Sequence, residues 1–157
     1  MARKIRALVF ALLALAIVCF IFSNSAQGAE ESNEASGWVA AFLRPILDPL
    51  GRLDDAVFHK LVRKLAHFVE FGALGVCLCA CFVNTPLRRP WISALAGSVL
   101  VACCDETIQR FTGGRSCQWQ DVCIDSAGAV CGILFVCLIV LILLYYREGK
   151  SCPNSDL

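Results

Sequence analysis

Arg63, His67 and Glu70 belong to one run, Arg63-Lys64-Leu65-Ala66-His67-Phe68-Val69-Glu70-Phe71, that leads straight into the apolar segment 72–83. At about 100° per residue a helix places Arg63, His67, Glu70 and Leu74 within about 60° of one another, so one face carries a cation, an imidazole and a carboxylate. Such a set can move protons and hold an anion, with His67 or Glu70 as general acid or base and a cation such as Arg63, Lys64 or Arg115 on a phosphate. An ionisable side chain at membrane depth costs roughly 2.5–3.5 kcal/mol, so it is normally paired inside a bundle or turned towards a watery cavity. This polar face therefore needs partners from elsewhere in the chain.

Two later stretches supply them. Asp105, Glu106 and Gln109 end one apolar segment, Arg115 follows in a glycine-rich break, and Asp121 and Asp125 open the next apolar run on the same face as Gly128 and Gly132. From helical rise, Glu70 lies ~9 Å below one membrane boundary and Asp105 ~8 Å short of the same boundary, so the two carboxylates are expected at similar depth. The catalytic candidates are His67, Glu70, Asp105 and Glu106. Arg63, Lys64, Gln109, Arg115, Asp121 and Asp125 are candidates for binding. A variant adds a divalent cation on Asp105, Glu106, Asp121 and Asp125, where hard oxygen donors suit Mg2+ or Ca2+ better than zinc. In the competing reading these are helix-end charges: Asp121 capping, Arg115 snorkelling, and Glu70 paired with Arg63 or Lys64. There is no His-Glu-x-x-His run and no Gly-x-Ser-x-Gly elbow, and the sequence names no cofactor or metal.

The elements that must position these residues are membrane helices. Hydrophobic residues make up 58% of the 157, charged residues only 17%, and mean hydropathy is +0.68, which excludes an ordinary soluble domain. The net charge of +1 gives no reason to expect nucleic acid. Apolar runs predict an all-α, integral-membrane four-helix bundle forming a single domain over 1–157, with spans at about 5–22, 65–83, 91–109 and 123–146. Residues 23–62 form a helical outer loop between spans 1 and 2. Within it Pro45 and Pro49 forbid one long helix across Arg44 to Leu50, and Asp54 is a cap for a short helix from Val57 to Lys64 lying at the membrane surface, where the region can act as a lid. Basic residues Arg3, Lys4, Arg6, Arg88, Arg89, Arg147 and Lys150 mark the cytoplasmic side, so both termini are expected there. The polar cavity then opens to the outer leaflet.

Eleven cysteines raise the question of metal or disulfides. Cys19, Cys77, Cys79, Cys81, Cys103, Cys104, Cys131 and Cys137 sit in apolar runs, where a thiol behaves as a small hydrophobe. Cys77-x-Cys79-x-Cys81 is not a metal motif, because successive members lie about 200° apart on a helix. A Cys117 to Cys123 bridge is conceivable.

Four motifs in order, Phe22-Ser23-x-x-x-Gln27, Arg63-Lys64-x-x-His67-Phe68-x-Glu70-Phe71, Asp105-Glu106-x-x-Gln109-x-Phe111-x-x-Gly114-Arg115 and Asp121-Val122-x-x-Asp125-x-x-Gly128, together resemble the VanZ-like family of bacterial membrane proteins. The match runs from about Ile5 to Leu144. It favours a retained first helix over a signal peptide cleaved after Ser25, and it adds Ser23 and Gln27 to the binding candidates. The resemblance implies a bacterial plasma-membrane protein acting on or near the cell envelope, since the family's named member lowers susceptibility to the glycopeptide teicoplanin. Expected partners are the lipid bilayer and a lipid-linked or glycopeptide ligand. An enzyme using acid–base chemistry and a site that binds a lipid head group or envelope partner without reacting both fit the residues.

Overall fold

The computed structural model describes residues 1–28, 34, 37–112 and 118–151, with 149–151 as backbone only. Helix α1, Ala2–Ser25, contains no proline or glycine to interrupt it. At ~1.5 Å per residue it is long enough for a ~30 Å hydrocarbon core. Its inward stripe of Phe10, Ala14, Ile17, Ile21 and Ser25 repeats at helical spacing, and Leu8, Leu12 and Leu15 are exposed on the outside.

Helix α2, Gly37–Leu47, is short and amphipathic. Val39, Ala40 and Leu43 pack on Phe58 and Val62, leaving Trp38, Phe42 and Ile46 as an exposed apolar stripe. Pro45 fits within its final turn, and the helix stops at Leu47, two residues before Pro49. The corner that follows is stapled electrostatically. Asp48 accepts hydrogen bonds from the backbone N–H groups of Arg52 at 2.8 Å and Leu53 at 3.0 Å. The Leu53 and Arg52 amides, aided by Arg44, hold the Asp48 carboxyl below its ordinary value of 3.8. Arg44 also donates to the Leu53 carbonyl at 2.7 Å, pairs with Asp55 and lies 4.9 Å over the Phe58 ring. Gly51 takes a φ of 59°, where an L side chain is strained.

Helix α3, Asp55–Val83, is the central element and contacts each of the other helices. The Asp54 cap is present, accepting from the Ala56 N–H at 3.3 Å. The expected surface helix and second span are, however, one continuous rod. No proline or glycine stands between Asp55 and Phe71, so nothing breaks the helix where the polar piece meets the apolar one. One flank of α3 buries Phe71, Leu74 and Cys77 with α1, and another buries Cys79 with Ala94, Ile133 and Val136. The cysteines thus divide between separate packing surfaces as small apolar groups.

Helix α4, Pro90–Arg110, starts with proline at its first position, where a missing N–H costs nothing. Its buried stripe, Ala94, Ser98, Ala102, Asp105 and Gln109, changes from small residues to polar ones towards the C-terminus. Helix α5, Trp119–Ser151, buries Asp125, Ala129, Ile133 and Val136 along a matching stripe. A Cβ at Gly128 would overlap the Phe68 carbonyl, one at Gly132 the Gly72 carbonyl, and one at Gly75 the Ala129 carbonyl. The expected close approach at Gly128 and Gly132 is therefore reciprocated by glycines on α3.

Among the described residues α1, α3, α4 and α5 are each long and apolar enough to cross a membrane. The protein is an all-helical, multi-pass membrane protein. Arg3 donates to the Val83 carbonyl at 3.1 Å at one end of the α1–α3 pair, and Asn24 reaches Glu70 towards the other, so these two helices run antiparallel.

Candidate functional site

Close packing of α3 on α5 draws together the polar ends of four helices. On α3, the His67 Nδ1 lies 3.8 Å from the Glu70 Oε2 and 3.9 Å from the Asp105 Oδ2 of α4. Asn24 at the end of α1 donates to the Glu70 Oε1 at 3.3 Å. Gln109 sits one turn beyond Asp105 and donates to its Oδ2 at 2.8 Å and to the Ser25 hydroxyl at 3.2 Å. Thr112 adds a bond to the Ser25 carbonyl at 3.1 Å. Asp105 and Ser25 are fully buried, and Glu106, Gln109 and Asp125 nearly so. Buried polar groups are tolerated only when partnered, and this network supplies partners from three helices.

The other acids divide by role. The Glu106 carboxylate accepts from the Gln118 backbone N–H at 2.9 Å, tying α4 to the start of α5 where the helix dipole favours a negative charge. Asp121, in the first turn of α5, pairs with Lys64 at 2.5 Å. The competing reading pairs Glu70 with Arg63 or Lys64; in the structure Asn24 and His67 meet Glu70, while Lys64 pairs with Asp121. Asp125 lies 2% exposed and has no hydrogen bond or ion pair with any described residue.

Two clefts meet at this cluster. A polar cavity of about 400 Å³ between α3, α4 and α5 is bordered by Lys60, Arg63, Lys64, Asp121 and Asp125, with Glu106 and Gln109 in its wall. An apolar cleft of about 570 Å³ between α1, α2 and α3 is lined by Phe20, Trp38, Leu43, Leu65 and Val69, with Asn24, Gln27 and Glu70 as its polar margin. Arg63 and His67 border both. Among the described residues Arg63 forms no ion pair, so its guanidinium stands at the junction as an uncommitted cation.

His67, Glu70, Asp105, Glu106, Arg63, Lys64, Gln109, Asp121 and Asp125 thus assemble around one cluster and its cavity, and Gln27 lines the apolar cleft. Ser23 is exposed and lines neither cleft, whereas its neighbours Asn24 and Ser25 take the inward positions. Arg115 and Cys117 lie outside the described residues, and Cys123 is a free, exposed thiol. Sequence reasoning missed Lys60, Asn24, Ser25 and Gln118. Lys60 had a signal, since 60, 63, 64 and 67 repeat at the spacing of one helical face. The other three are ordinary helix-end residues whose role depends on what stands opposite.

His67, Asp105 and Asp125 each offer a donor atom within 4.8 Å of the others. The acidic set weighed as a variant from sequence, Asp105, Glu106, Asp121 and Asp125, shares two members with this triad; Glu106 accepts from Gln118, and Asp121 pairs with Lys64.

The fold and the cluster define a class: polytopic helical membrane proteins with a buried histidine–carboxylate site near one end of the bundle. The sequence model of the VanZ/LLP1 family matches residues 10–143, and the chain belongs to that family. No curated protein and no solved structure matches it.

Proposed function

We propose that the chain acts at the outer face of a bacterial plasma membrane on an anionic, lipid-linked component of the cell envelope. The observation that carries this reading is the sharing of Arg63 and His67 between a polar cavity and an apolar cleft. An amphiphile lying across that junction would put its hydrocarbon chain against Phe20, Trp38, Leu43 and Val69 and its anionic group against Arg63. His67 and Glu70 would then stand beside the head group with acid–base capacity, held in place by Asn24 and Asp105.

The orientation rests on charge. The termini and the α3–α4 turn carry Arg3, Lys4, Arg6, Arg88, Arg89 and Arg147, at the end of the bundle opposite the acids, which supports cytoplasmic termini and an outward-facing cluster. Binding without reaction is the second reading. It draws support from the Glu106–Gln118 and Lys64–Asp121 contacts, which commit two of the acids to holding helices together.

The test is teicoplanin susceptibility in a sensitive bacterial host expressing wild type, Glu70→Gln or Asp105→Asn, with membrane levels checked by blot. Reduced susceptibility in wild type, lost in well-expressed variants, supports action on the envelope through this cluster. Unchanged susceptibility at good wild-type expression removes glycopeptide protection from the proposal.

A further inference from the structure

The triad His67, Asp105 and Asp125 combines three features that together call for a cation. Its donor atoms come from three different helices and all lie within 4.8 Å of one another. Asp105 is 0% and Asp125 2% exposed, and an isolated buried carboxylate costs several kcal/mol unless it is neutralised. Asp125 borders the polar cavity with no hydrogen bond or ion pair from any described residue, although a carboxylate this buried is normally paired or bound to metal. The cavity's lysines and Arg63 do not fill that need: Lys64 is committed to Asp121, and among the described residues neither Lys60 nor Arg63 forms an ion pair with Asp125.

We infer that His67, Asp105 and Asp125 form a binding site for one divalent first-row transition ion, Mn2+ or Zn2+. The donor set decides the class of ion. Two carboxylates alone would suit Mg2+ or Ca2+, whereas an imidazole nitrogen among them shifts preference towards the borderline ions. First-row ions hold N and O donors at ~2.0–2.2 Å, so the three side chains draw together by ~1 Å on binding. The cavity leaves room for water or an anionic ligand oxygen to complete the coordination. Gln109, which donates to Asp105, fixes that carboxylate as an outer partner commonly fixes a metal ligand. With the ion in place, Glu70 rather than His67 keeps the acid–base role. The site goes beyond the proposed function and does not depend on it.

The experiment uses the full chain in detergent, purified without a metal-affinity step, stripped with a chelator and titrated separately with Mn2+, Zn2+, Mg2+ and Ca2+. The expected result is one Mn2+ or Zn2+ per chain, with micromolar or tighter affinity. Asp125→Asn should weaken binding at least ~10-fold at unchanged helicity, because that side chain has no hydrogen bond to lose. Sub-stoichiometric loading of wild type, preference for Mg2+ or Ca2+, or a folded Asp125→Asn that titrates like wild type would each overturn the assignment. Metal content is read on purified protein and envelope protection in cells, so failure of one leaves the other standing.

Discussion

The His67 Nδ1 stands 3.9 Å from the Asp105 Oδ2, an approach made across two helices. Both groups are anchored independently of any ligand: α3 is locked to α5 by glycine contacts, and Asp105 is held by Gln109. Replacement of His67 by alanine should therefore remove function while the helix packing persists, at a cost of about 1–3 kcal/mol for losing a largely buried imidazole from the polar network. Thermal unfolding in detergent beside the susceptibility assay separates the two effects.

Gln109 should matter to the fold itself. Its amide joins Ser25 on α1 to Asp105 on α4, and it is nearly fully buried. Gln109→Ala is expected to cost about 1–3 kcal/mol, the penalty for stranding buried polar partners. A lowered unfolding midpoint would register the loss, and a midpoint equal to wild type would refute the network's structural role.

The α3–α5 contact tolerates no side chain at Gly128, because a Cβ there meets the Phe68 backbone rather than a movable group. Gly128→Leu should destabilise by at least about 2 kcal/mol and spread the polar cluster as well. Gly37→Leu, where nothing lies within 4 Å of a new Cβ, is the matched control and should be well tolerated.

Lys64 and Asp121 form an ion pair whose side chains are 38% and 23% exposed. Solvent screening limits its value to about 0.2–1 kcal/mol. A double-mutant cycle with Lys64→Met and Asp121→Asn should return a coupling in that range. A larger coupling would mean that the pair is shielded by lipid.

Asp48 predicts a local acid sensitivity at the α2–α3 corner. Its carboxyl is held below its ordinary value, so its contribution is fully present above pH ~4 and is lost as pH falls through the depressed value. Amide exchange at Arg52 and Leu53 should accelerate at that acid end, and Asp48→Asn should show fast exchange at all pH values.

Much of this arrangement was legible in the chain itself. Runs of apolar residues long enough for a bilayer set four spans, because in hydrocarbon a continuous backbone must satisfy its own hydrogen bonds as helix. Helical spacing placed His67 with Glu70, and Asp125 with Gly128 and Gly132. Matching rise from the ends put Glu70 and Asp105 at one depth. What spacing could not supply is the rotation of each helix about its axis. Neighbouring residues point about 100° apart, so a modest turn decides whether Ser23 or Ser25 faces inward, and whether Lys64 or Arg63 meets Asp121. For α3 and α5 that rotation is set by Gly72 and Gly75 seating against Gly128, Ala129 and Gly132, a contact between backbones distant in sequence, and for α1 by the packing of Ala14 and Ile21 on Phe71 and Leu74. The chain thus fixed which groups were available at the polar end of the bundle, and only the packing of the helices brought the donor atoms of His67, Asp105 and Asp125 within 4.8 Å of one another.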